Sequence, residues 1–155
     1  MKTQVRVAQV ALVSVVVVGL AVAWGLGVRM HLASVRGEQV GWQPTHVTVT
    51  AGDRVSFRCS GCVLSDETGC SYDPDGDGAH VSPSSPLVRG AARGALVGKI
   101  VGADGESQSF VVGRGRAIVA LVSGRLLLGV NGSDVGRTAV ARRGQWHVSI
   151  TLAHS

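Results

Sequence analysis

Five side chains able to ligate a metal or hydrogen-bond a polar ligand fall within nine positions. They are Tyr72, Asp73, Asp75, Asp77 and His80, in the run Tyr-Asp-Pro-Asp-Gly-Asp-Gly-Ala-His. Asp73, Asp75 and Asp77 alternate and are followed by Gly78, the opening pattern of a calcium loop. Three hard carboxylates can close around one centre there, and glycine permits the sharp turn. The twelfth position is Ser84 rather than a bidentate Glu, so an EF-hand is not expected. A looser calcium site in this loop stands beside the plain reading of a solvated acidic turn. Cys59, Cys62 and Cys70 lie just upstream. In an oxidising compartment two of the three are expected to form a disulfide, leaving one thiol over. Zinc held by the three Cys and His80 is the alternative. No nucleophile elbow, zincin motif or phosphate-binding loop is present, so no enzyme is expected.

These residues need a scaffold, and the flanking sequence supplies a β pattern. Thr45 to Thr50 alternates with period two and is β-branched; Ala51-Gly52-Asp53 is a turn; Arg54 to Arg58 alternates again. The pair reads as a hairpin with Val47, Val49, Val55 and Phe57 facing inward. Residues 59–94 form a long loop region. It holds all three Cys, three of the four Pro, and Asp66, Glu67, Asp73, Asp75 and Asp77, half of the ten acids. Short apolar runs return at 95–101, 108–112, 117–122, 125–130 and 145–152, separated by Gly, Asp, Ser or Asn. Seven or so such strands argue for an antiparallel sandwich or barrel.

The N-terminal segment is of another kind. Val7 to Val28 contains 22 residues and no charge. As a helix it would reach ~33 Å, enough to cross a bilayer core. An uncleaved signal anchor is one reading, with Trp24 at the interface; a secretory signal cleaved after Ala21-Val22-Ala23 is the other. Either places the remainder outside the cytoplasm. The expected organisation is a cytoplasmic N-terminus (1–6), a transmembrane helix (7–28), a linker (29–41) and a β-sandwich domain (42–155). With 155 residues and a net charge of +5, the chain suits one globular domain. Its cations are spread along the sequence and it has six aromatics, which argues against nucleic acid as a partner.

Five ordered pieces of the chain resemble bacterial galactose-binding lectins of the PA-IL-like family. Trp42-Gln43-Pro44-Thr45, with Val47-Thr48-Val49 and Ala51-Gly52-Asp53-Arg54-Val55, is similar to their opening strands. Gly94-Ala95-Leu96-Val97-Gly98-Lys99-Ile100 is similar to a central strand and Phe110-Val111-Val112-Gly113 to the next. Ser123 to Asn131 and Gly144 to Ile150 are similar to the last two. The resemblance implies a jelly-roll β-sandwich, galactose-binding-domain-like, that binds carbohydrate without catalysis. In some members a calcium ion bridges protein and sugar hydroxyls. By that register His80 falls where a sugar-contacting His lies, and Asn131 and Asp134 fall near calcium ligands. The paired Asn expected before the closing strand are replaced by Arg142 and Arg143, cations that would repel Ca²⁺. The ligand-binding candidates are therefore Tyr72, Asp75, Asp77, His80, Asn131 and Asp134, with Asp73, Asp75 and Asp77 as the calcium candidates. The expected partners are a membrane and a carbohydrate or surface protein, with oligomerisation left open. The rival expectation is a structural or accessory subunit of a membrane complex that binds no sugar.

Overall fold

The structure is a computed structural model that describes residues 27–39, 41–64, 73–81, 87–132 and 143–154. The transmembrane or signal segment, Tyr72, Cys70 and Asp134 lie outside the described residues. Among the described residues no helix is long and apolar enough to cross a membrane.

The described chain is all-β. One sheet has the order β1-β10-β3-β8, from Val28–Arg36, Arg143–Ala153, Arg54–Leu64 and Gly115–Val119. The second has the order β2-β9-β6-β7, from Trp42–Val49, Gly124–Val130, Leu96–Val101 and Ser107–Val111. A short ladder joins β4 (Asp77–Val81) to β5 (Ala92–Arg93). All pairings are antiparallel. Alternate residues of each main strand turn inward: Val55 and Phe57 on β3, Val148 and Ile150 on β10, Leu126 and Leu128 on β9. Trp146 is fully buried among them. Every inward side chain removes apolar area from water, at about 25 cal/mol per Å². Gly98 lies opposite Phe110, and a Cβ there would meet the Phe110 ring. That ring in turn packs at 5.6 Å from Phe57 across the sandwich.

Two expectations are corrected. Residues 29–41 are not a linker. Val28–Arg36 is a nine-residue edge strand paired along its whole length with β10, from Val28↔Ala153 to Arg36↔Gln145. Gln43 braces its end: its Oε1 accepts from Arg36 N–H, and its Nε2 donates to Arg36 O. The sandwich therefore begins at residue 28, and an apolar helix cannot extend that far. Residues 45–58 are not a hairpin either. Val47, Val49, Val55 and Phe57 do face inward, but β2 pairs with β9 and β3 with β10 and β8. The turn at 50–53 crosses from one sheet to the other. A sheet-crossing turn and a hairpin share the same alternation and the same Gly-Asp punctuation, so sequence pattern does not separate them.

Strand direction gives the sandwich two distinct ends. One carries the turns 50–53, 102–106 and 120–123 with the start of β1. The other carries the connections that leave β3, β4, β5 and β9, where the acidic loop lies.

Candidate functional site

The Asp73–Gly76 loop is built from its own backbone. Asp73 Oδ1 accepts from Asp75 N–H at 2.8 Å, and Gly76 N–H donates to Asp73 O at 2.9 Å. Gly76 takes φ 79°, and a Cβ there would strike the Arg93 carbonyl and the Ala95 backbone. Pro74 is buried, and its carbonyl accepts from Leu96 N–H, tying the loop to the start of β6.

Arg114, in the turn between β7 and β8, completes the arrangement. Its Nη2 lies 2.7 Å from Asp73 Oδ2 and its Nε 3.0 Å from Asp75 Oδ2. Its backbone N–H donates to Asp75 Oδ1 at 2.8 Å. All four carboxylate oxygens of Asp73 and Asp75 thus accept a bond from within the chain. The three side chains stay open to solvent, Arg114 at 67%, Asp73 at 41% and Asp75 at 58% exposed. The Arg114 hydrogen bond holds the Asp73 carboxyl below the usual carboxylate range, against a smaller opposing push from desolvation. The guanidinium is correspondingly raised, first by its hydrogen bond to Asp73.

This arrangement bears on the calcium expectation at Asp73 and Asp75. Ca²⁺ takes 6–8 oxygen ligands, and here Asp73 Oδ2 and Asp75 Oδ2 face the Arg114 guanidinium while Asp73 Oδ1 and Asp75 Oδ1 accept backbone N–H bonds. Among the described residues no three His, Cys, Asp or Glu side chains converge on a metal position. Asp73 and Asp75, each paired to the Arg114 guanidinium, are a poor donor pair for the calcium ion that the family resemblance implies.

Asn131 is also reassigned. It is 0% exposed. Its Oδ1 accepts from Val88 N–H at 3.0 Å, and its Nδ2 donates to the Ala91 and Ala92 carbonyls at 3.0 and 3.2 Å. Its amide is spent on holding residues 87–92 against the end of β9, and it presents nothing to a ligand. Asp77 and His80 fall on β4, where Asp77 pairs with Arg93; their side chains are outside what the structure describes. Tyr72 and Asp134 lie outside the described residues.

The cysteines divide. Cys62 is disulfide-bonded, and Cys59 keeps a free thiol. Cys59 packs half-buried against the core, and its N–H donates to Arg114 O. Burial, and secondarily the Asp75 carboxylate, push its thiol up to about 12. Such a thiol is protonated at neutral pH and is a poor metal ligand or nucleophile, so zinc held by all three Cys is not supported.

Sequence reasoning missed Arg114. It stands 41 residues from Asp73, and only the fold brings them together. It also missed a shallow groove of roughly 440 Å³ on the outer face of the β1-β10-β3-β8 sheet, lined by Leu32, Ser34, Arg58, His147 and Ser149 among others. The groove has no aromatic wall on which a sugar ring could stack.

No family model matches the chain, and no curated protein matches it. A solved structure does: "EclA N-terminal domain; PllA-like lectin" superposes with a TM-score of 0.58 at 16% identity, over 81% of this chain and 98% of that one. At that identity the likeness shows the fold: the described chain is a β-sandwich of the kind seen in a PllA-like lectin domain.

Proposed function

We propose that the chain is a membrane-anchored, extracytoplasmic and non-catalytic carbohydrate-binding domain, and that the Asp73–Arg114–Asp75 cluster contacts the sugar without calcium. The observation that carries this reading is the cluster itself, an exposed and mutually braced row of acceptor, donor and acceptor at the loop end of a lectin-like sandwich. A sugar hydroxyl both donates and accepts one hydrogen bond, so a vicinal diol needs alternating partners at fixed spacing. Carboxylate oxygens retain a second lone pair, and a guanidinium carries five N–H donors in a rigid plane. The ion pair removes rotamer freedom before the ligand arrives, which lowers the ordering cost of binding. Calcium would supply the same polarity by coordination; here the guanidinium provides it covalently tethered.

The solved neighbour's name describes a lectin, which supports the sugar reading. Residues 7–28, with the sequence character of a signal anchor, support the membrane reading. The test is retention of the full-length chain, in detergent, on an immobilised galactose matrix, with calcium or with chelator. Retention that survives chelation and is lost in Asp75→Ala, in His80→Ala and in Arg114→Ala is the expected result. A second reading, an accessory subunit of a membrane complex, is favoured by the Arg114 ion pairs on Asp73 and Asp75 and by Arg142 and Arg143 in the sequence. It predicts no retention on any sugar and co-purification of a membrane partner.

A further inference from the structure

The end of the sandwich opposite the acidic loop carries a surface that the sugar reading does not use. The exposed large hydrophobic residues among those described are Val28, Met30, Leu32, Val119 and Leu121. All belong to the two edge strands of one sheet, β1 and β8, or to the turn that follows β8. The register places Val28, Ala153, Arg54 and Val119 in one cross-strand row at the end of that sheet. Val28 and Val119 therefore stand about 14 Å apart, three strand spacings. Leu121 projects beyond that row, 74% exposed, while Met30 and Leu32 continue along the outward side of β1, Leu32 at 82%. Isolated exposed apolar residues are ordinary; a group of five along one end and one edge marks a docking surface.

The path of the chain says what that surface meets. The uncharged segment runs from Val7 to Val28, and β1 starts at Val28 with only the Gly27 turn before it. No spacer separates the two. If the uncharged segment before Gly27 anchors the chain, as proposed above, the first residue of β1 leaves the bilayer and the next ones lie at its surface. We infer that the β1/β8 end of the sandwich rests on the lipid interface, with Val28, Met30, Val119 and Leu121 inserted among the headgroups and Leu32, four residues along β1 in the row of Ser149, Arg58 and Gly115, at the margin of the seat. Arg29 and Arg54 are exposed beside these residues and suit anionic headgroups. Asp104 and Glu106 occupy the same end but on the other sheet's turn, so the domain leans toward the outer face of β1-β10-β3-β8. The acidic loop, at the far end, then points away from the membrane toward a glycan.

The inference rests on the anchor reading, and the experiment separates the two. The full-length chain, with Cys59→Ser, is reconstituted into phosphatidylcholine–phosphatidylglycerol vesicles, with a fluorophore on Leu32→Cys, Leu121→Cys or Arg89→Cys. Arg89 is exposed at the loop end. Headgroup-attached nitroxide lipid is expected to quench the Leu32 and Leu121 labels several-fold more than the Arg89 label, and aqueous iodide to show the reverse order. In a chain that resists alkaline extraction, equal quenching at all three positions overturns the seat and leaves the anchor standing. Labels at Leu32 and Leu121 that are shielded from iodide but not quenched by lipid also overturn it, in favour of a protein partner or a second copy. A chain that washes off, or that begins after residue 23, overturns both. Leu32→Ser combined with Leu121→Ser should leave the melting temperature in detergent unchanged while raising iodide access at a Val119→Cys label.

Discussion

Two acid–base contacts lie at opposite ends of the sandwich and show different uses of the same chemistry. At the sheet-crossing turn, Asp53 is almost wholly enclosed, its side chain 5% exposed. Its Oδ2 accepts from Thr50 N–H at 2.8 Å, and its Oδ1 lies 2.8 Å from His154 Nδ1. Burial raises the Asp53 carboxyl, but the Thr50 and His154 contacts outweigh it and hold the group below the usual range. At the loop end the Asp73–Arg114–Asp75 cluster uses more charge and more bonds, yet it stands in solvent. The first contact closes a turn whose backbone bonds, Gly52 N–H to Ala120 O and Ala120 N–H to Asp53 O, extend the β3–β8 ladder into the two connections that cross between the sheets. The second orders a surface. An enclosed carboxylate makes its bonds count toward stability because water reaches it poorly. An exposed pair carries little stability, and its groups remain available to a ligand.

The contrast can be broken most severely beneath the loop end. Asn131→Ala leaves the Val88 N–H and the buried Ala91 carbonyl without the Asn131 amide, and is expected to lower unfolding free energy by about 3 kcal/mol, measured by urea denaturation. Asp53→Ala removes the turn's acceptor and is expected to cost about 2 kcal/mol on the same scale. Because the folded Asp53 carboxyl titrates below its unfolded value, its contribution is complete above pH ~4 and is lost as pH falls through the folded value. Asp53→Asn should accordingly flatten the acid limb of stability against pH, whereas Asp73→Asn should change it far less. Arg114→Ala is expected to leave the melting temperature unchanged while abolishing sugar retention, the opposite signature to Asp53→Ala. The smallest effect concerns Cys59: its thiol should react with iodoacetamide at pH 8 far more slowly than an unfolded-chain cysteine, and should reach the free rate only in denaturant.

The strands after residue 94 were legible because each is a short, alternating apolar run bounded by turn residues. The run 125–130 became Gly124–Val130, and 145–152 became Arg143–Ala153. β1 was not legible because it is an edge strand with one side in solvent. Only Ala33 and Val35 face the core strongly, and Met30 and Leu32 on the outward side blur the alternation. The loop 73–80 could be picked out from its composition. Its state could not, because the decisive group, Arg114, reaches it from a turn between two distant strands. Asn131 is fixed by its position after β9, and the inward closure of its amide on residues 88, 91 and 92 depends on a segment some forty residues upstream, which sequence pattern does not show.

The central claim is that the loop end recognises carbohydrate through the Arg114-braced carboxylates. A glycan array probed with the full-length chain, once in calcium and once in chelator, tests it most directly. Binding to a restricted set of glycans at equal strength in both conditions, and lost in Arg114→Ala, is the predicted result. No glycan above background in either condition, or binding that disappears with chelator, would contradict it.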